Sequence, residues 1–227
     1  MPRMVKLVLA ELLALTLLLV PQLSSGPQPQ QASPSVAGSP IPGLPGYGVD
    51  LGLDPTSGKI VELLIYRGQK QFQALKVCTL EPVPREDPVG TIDTADYNFD
   101  GYYDLALQTA SKQGNASYCI WLYSPKTGRF VASPALSQLT NTRPDPQTHT
   151  VVSLIKGECP ICYRQETYRW SKGQLVPVRE ESVQPADLGL QLPGGCGWLR
   201  TVREEKNGQM RFVSRSQVNE LGQDCLQ

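Results

Sequence analysis

Residues 96–110 read DYNFDGYYDLALQTA. A run of this kind can open either a helix or a strand, and its second half chooses between them. Asp96, Asn98, Asp100 and Asp104 stand at relative positions one, three, five and nine, with Gly101 at six. Alternate oxygen-bearing side chains around a glycine bend suit a hard cation such as calcium, which takes about six to eight oxygen ligands. In a helix–loop–helix calcium site the loop ends on a bidentate Glu at position twelve. Here position twelve is Leu107, and YYDLALQTA (102–110) alternates as a strand does. The stretch predicts a polar loop that opens a β-strand.

The rest of the chain agrees. Residues 59–66, 71–78, 117–123, 150–156, 162–170 and 174–178 are further short segments rich in β-branched and aromatic side chains, separated by turn residues. PALSQL (134–139) is long enough for one helical turn only. WLYSPKTGRFV (121–131), YRWSKGQLV (168–176) and EEKNGQMRFV (204–213) share a strand, a polar pair, a glycine and a second strand, and IYRGQKQF (65–72) is a looser copy. Each reads as a β-hairpin turning at Gly68, Gly128, Gly173 or Gly208. These elements predict an all-β fold, a β-propeller-like domain of antiparallel hairpins, with a β-sandwich as the alternative.

At the N-terminus, Arg3 and Lys6 precede an apolar run from Leu7 to Val20, and Ser24, Ser25 and Gly26 offer a cleavage site. Residues 1–26 read as a signal peptide, with an uncleaved membrane anchor as the alternative. Residues 27–48 are rich in Pro, Gln, Ser and Gly and read as a disordered flexible tether. A calcium-binding β-domain is expected over 49–186, and a disulfide-stapled hairpin extension over 187–227. Lys plus Arg and Asp plus Glu are equal at 21 each, so no basic footprint argues for nucleic acid. Six cysteines, Cys78, Cys119, Cys159, Cys162, Cys196 and Cys225, follow the signal. An even count in an exported chain implies disulfides in a periplasmic or extracellular protein. Cys159 and Cys162 suit a local bridge across a turn. Cys78 with Cys119 and Cys196 with Cys225 then pair by elimination.

As metal ligands the loop offers the side chains of Asp96, Asn98, Asp100 and Asp104 and the carbonyl of Tyr102. An all-oxygen set favours calcium over zinc or copper. The spacing D-x-[DN]-x-D-G-x-x-D resembles the calcium hairpins of FG-GAP repeats in integrin-type propellers. Together with YCIWLYSPKTGRFVASPALSQLTN (118–141) and ETYRWSKGQLVPV (166–178), it resembles a bacterial family of exported FG-GAP-like proteins. That family includes an immunity-type inhibitor of a lysozyme-like secreted effector. The resemblance covers about residues 59–180 and implies a non-enzymatic domain that binds a protein, its partner a lysozyme-like cell-wall hydrolase. An envelope adhesion or structural module is the alternative.

Other candidates carry less. CxxC at 159–162 has thiol-redox spacing but no βαβ context. His149, the only histidine, starts a strand with no nucleophile-elbow motif nearby. Asn115-Ala-Ser117 matches a glycosylation sequon. Trp121, Trp170, Trp198 and the tyrosines default to core packing; any that reach a rim are natural anchors for a partner.

Overall fold

The computed structural model describes residues 38–80, 83–85, 88–186 and 197–225. It is all-β. Three antiparallel sheets follow one another along the chain, each a meander in which sequence neighbours pair. The first holds β1 (Ser39–Pro40), β2 (Tyr47–Leu53), β3 (Ile60–Arg67) and β4 (Lys70–Lys76). The second holds β5 (Ile92–Ala95), β6 (Asp104–Lys112), β7 (Asn115–Ser124) and β8 (Arg129–Ala132). The third holds β9 (Arg143–Asp145), β10 (Thr150–Lys156), β11 (Tyr163–Ser171), β12 (Gln174–Pro185), β13 (Trp198–Lys206) and β14 (Gln209–Val218). A single helical turn, α1 (Pro134–Ser137), lies between β8 and β9. No sheet closes into a barrel; face-to-face layering of consecutive meanders is common to propeller-like and sandwich arrangements.

The predicted hairpins sit where the glycines placed them. Gly68, Gly128, Gly173 and Gly208 all hold positive φ, the left-handed backbone that tight turns need and that glycine adopts without strain. At the last of these, Asn207 also has φ of 56°, as an Asn-Gly type I′ turn requires.

Alternation along β6 and β7 makes the second sheet the middle layer. Leu105, Leu107, Cys119, Trp121 and Tyr123 share a core with Val49, Leu63, Ile65 and Leu75 of the first sheet. Their in-between neighbours Ala106 and Ile120 share another with Val151, Tyr168 and Trp170 of the third. Full burial of each large aliphatic contributes about 1.5–3 kcal/mol. Polar side chains also join the layers. Gln73 of β4 donates to the Phe130 carbonyl (2.8 Å) and accepts from its N–H (3.1 Å), as a backbone neighbour would. Asn141 does the same service between β6–β7 and β10, bonding the Ala116 N–H, the Gly114 carbonyl and the Leu154 carbonyl.

Two boundaries differ from expectation. Ordered structure begins before Val49, within the stretch read as a tether: Ile41, Leu44 and Tyr47 are buried. They close tight turns through Leu44 N–H to Ile41 carbonyl (3.2 Å) and Tyr47 N–H to Leu44 carbonyl (3.1 Å). Three apolar anchors outweigh the Pro/Gly composition around them. At the other end, residues 197–225 are no separate extension. β13 pairs with β12 from Arg179↔Glu204 to Pro185↔Trp198, so the third sheet runs through the expected boundary. Residues 1–37, holding the expected signal and half of the tether, and 187–196, with Cys196, lie outside the described residues.

Candidate functional site

The loop of residues 96–103 connects β5 to β6, and Asp104 is the first residue of β6. Its bend uses two positive-φ positions, Phe99 (60°) and Gly101 (89°). Asp96 accepts the N–H of Asp100 at Oδ1 (3.2 Å) and of Gly101 at Oδ2 (2.9 Å). Asn98 Oδ1 accepts the Asp100 N–H (3.1 Å), and its amide donates to Asp100 Oδ2 (3.0 Å). Asp100 Oδ1 in turn accepts the Tyr102 N–H (3.0 Å). The loop is therefore wound about its own carboxylates.

Asp104 is different. It is fully buried, with Oδ2 accepting the Tyr97 N–H and Oδ1 the Tyr123 N–H, both at 2.8 Å. One carboxylate thus fastens the loop to β7. Burial pushes its pKa up to about 7; the two backbone donors pull it down, and the charges of Asp100 and Asp96 push it up again. On the far side of the loop the Tyr97 carbonyl accepts from Trp170 Nε1 (2.8 Å), which ties it to β11.

The donor chemistry fits a hard divalent cation: three carboxylates and one amide oxygen in nine residues, with the Tyr102 carbonyl between. Among the described residues, no three His, Cys, Asp or Glu side chains already converge as a metal site. Each of the three carboxylates accepts at least one backbone N–H bond, which leaves oxygen lone pairs over for a cation.

Aromatic residues flank the loop. Tyr102 and Tyr103 are 39% and 40% exposed, and Tyr102 stacks tilted on Tyr123 at 5.4 Å. The Tyr103 ring lies against Gly43, where an added Cβ would stand 2.4 Å from its Cδ2. Phe99 packs on His149 (5.4 Å between centroids). These two, with Tyr103, Pro144 and Pro146, line a groove of about 570 Å³.

The other candidate residues lie elsewhere. Cys78–Cys119 bridges the end of β4 to β7, and Cys159–Cys162 closes the turn between β10 and β11. Cys225 is also disulfide-bonded. These bonds fit a protein that folds outside the reducing cytosol. Among the described residues no helix stands behind the Cys159–Cys162 turn to lower a thiol pKa. In the sequon, the Asn115 amide donates to the Lys156 carbonyl and its oxygen accepts the Lys156 N–H, so this side chain holds β7 to β10.

Spacing alone picked out the candidate ligands of the loop. It did not pick out Tyr97, Tyr123 or Trp170 as their support, since those contacts join residues 19 and 73 apart. Apolar alternation around Trp170 marked it only as a core residue.

No family model matches the chain, and no curated protein matches it either. A solved structure described as "Structure of a Xanthomonas Type IV Secretion System related protein" is similar, with a TM-score of 0.53. The two are 17% identical, and the match covers 74% of this chain and 90% of that one. At that identity the likeness is one of fold.

Proposed function

We propose that this is an exported β-domain, stabilised by one calcium ion, that acts by binding another protein. The observation that carries the reading is the 96–104 loop, an all-oxygen donor set seated where β5, β6, β7 and β11 meet. Asp96, Asn98, Asp100, Asp104 and the Tyr102 carbonyl would hold the ion. A cation there offsets the mutual repulsion of three carboxylates and the penalty of ionising buried Asp104. Sites of this kind outside the cell bind at about 10⁻⁴–10⁻³ M, so calcium fills them there and not in the cytosol. The bound ion holds a loop whose flank displays Tyr102 and Tyr103, aromatic residues of the type that anchor protein interfaces.

The disulfides support export. The similar structure is that of a protein described as related to type IV secretion, which is compatible with a protein partner here. The resemblance to FG-GAP-like immunity proteins makes a lysozyme-like cell-wall hydrolase the first partner to test. A turbidity assay with a muramidase encoded beside this protein should show stoichiometric inhibition that weakens in Tyr102→Ala/Tyr103→Ala. Full muramidase activity with the protein in excess would overturn the hydrolase assignment and leave the calcium reading standing.

A further inference from the structure

Three hairpin turns of the chain share one pattern. DPTSGK (54–59) joins β2 to β3, SPKTGR (124–129) joins β7 to β8, and DPQTHT (145–150) joins β9 to β10. In each, the first and last of these residues meet across the turn. Ser124 pairs with Arg129 and Asp145 with Thr150, and the Asp54 N–H donates to the Lys59 carbonyl (2.8 Å). The first and third turns are also capped alike. Asp54 accepts the Thr56 N–H (3.0 Å) and the Ser57 hydroxyl (2.9 Å). Asp145 accepts the Gln147 N–H (3.0 Å) and the Thr148 hydroxyl (2.8 Å). The fifth position holds positive φ in all three: 67° at Gly58, 65° at Gly128 and 50° at His149. Two turns place there the residue that adopts this backbone freely; the third places a histidine, at a cost in steric strain.

The His149 ring reaches the 96–103 loop. It packs on Phe99 with centroids 5.4 Å apart and planes tilted by 43°. Phe99 has φ of 60° itself and packs against the core that holds Tyr97 and Val151. Two side-chain residues in left-handed backbone thus face each other, one from each element, and strain of this kind persists where the surroundings hold it in place. Phe99 stands between Asn98 and Asp100, two of the residues that would hold the ion. The side chains of Asp96, Asn98 and Asp100 bond within the loop, whereas the Phe99 ring meets the β9–β10 turn. Anchoring the oxygens on either side of Phe99 to an ion restricts the backbone that carries its ring. The loop and the turn are also opposite walls of one groove, with Phe99 and Tyr103 on one side and Pro144, Pro146 and His149 on the other.

We propose that Phe99 and His149 form a latch through which calcium at the 96–104 loop holds the β9–β10 turn, and so sets the shape of the groove between them. The inference rests on the calcium reading above and adds the route by which the ion acts on the third sheet. His149 is the only histidine, so in untagged full-length protein labelled with ¹³C-histidine its ring gives a single Cε1–Hε1 signal. At about pH 8.5, well above the ordinary histidine range, an imidazole is neutral and its signal reports the ring's surroundings. Calcium should displace that signal with the same midpoint as the rise in melting temperature. Phe99→Leu keeps the ligands and the apolar contact but loses the ring; it should keep the melting shift and lose the displacement. The sibling turn isolates the strain. A Cβ at Gly58 meets nothing within 4 Å, so Gly58→His should lower the melting temperature through backbone strain alone. His149→Gly removes strain and ring together and should give no rise in wild type, but a rise in Phe99→Leu, where the stack is already gone.

A melting temperature that rises with calcium while the His149 signal stays in place would overturn the latch and leave the calcium reading standing. The same displacement in Phe99→Leu as in wild type would overturn it too, since the ion would then reach His149 by another route. So would a rise in His149→Gly as large as the fall in Gly58→His, which would mean that the ring offsets none of its strain. If calcium moves neither the melting temperature nor the signal, the calcium reading falls and the latch falls with it.

Discussion

Asp104 does two jobs with one carboxylate. Its oxygens satisfy the N–H groups of Tyr97 and Tyr123, and in the calcium reading proposed above its charge would serve the ion. The first job needs only oxygen lone pairs; the second needs ionisation. In metal-free protein the two conflict, because burial raises the folded pKa to about 7, well above the ordinary aspartate range. A carboxyl whose folded pKa lies above its unfolded value contributes stability that is complete below the unfolded pKa. That contribution fades as pH rises through the folded pKa. In EDTA, Asp104 should therefore destabilise the fold by roughly 4 kcal/mol between about pH 4 and pH 7, an order-of-magnitude figure from the linkage relation. Urea midpoints across that range should show a decline in wild type that is absent in Asp104→Asn. Parallel profiles for the two proteins would remove Asp104 as the titrating group. Calcium favours the ionised form and should flatten the wild-type profile.

Among the elements, the strands that read clearly were those with apolar residues on one face and a glycine turn beyond, such as β10 and the β7–β8 hairpin. Residues 39–48 did not read as ordered, because Ile41, Leu44 and Tyr47 are scattered among Pro and Gly and are held by burial against distant strands. The second half of β12 was illegible for the opposite reason. Its run REESVQP carries no apolar alternation; cross-strand pairs such as Arg179–Glu204 (2.8 Å) and Tyr163–Glu181 (2.6 Å) hold its side chains instead. The metal-ligand candidates were legible because they are local in sequence, and their supports were not because those are made by the fold. The N-terminal segment supplies its own test. Gly43 has φ of +71° and faces the Tyr103 ring, so Gly43→Ala combines backbone strain with a collision and should cost about 1–3 kcal/mol. Thermal melts should show that loss, whereas Gly46→Ala, with positive φ but open space, should cost less. Equal losses would mean that the contact with Tyr103 contributes nothing.

At the scale of the whole molecule, three meanders are joined by few covalent and polar ties, and these carry more than local weight. Cys78–Cys119 connects the first two sheets across 41 residues of chain. In the chain-entropy view a loop of that length is worth about 4 kcal/mol, with typical values of about 2–4. Cys78→Ala/Cys119→Ala should lose about that much in denaturant unfolding, and Cys159→Ala/Cys162→Ala, which opens a turn of only three residues' separation, should lose less. The reverse order would show that the sheets are held together by other means.

The 96–104 loop ties the second and third sheets together, since Asp104 fastens it to β7 and Trp170 to β11, and calcium bound there, as proposed, would act on both. The measurement that bears most directly on this is the melting temperature in EDTA and in about 10 mM calcium, for wild type and Asp100→Ala. With a dissociation constant of about 10⁻⁴–10⁻³ M, calcium should stabilise wild type by about 1.4–2.7 kcal/mol, a rise of about 3–10 °C. Asp100→Ala, altered at an exposed loop residue, should show almost none of that increment. A wild-type melting temperature unmoved by calcium, or an equal rise in Asp100→Ala, would contradict calcium ligation by this loop.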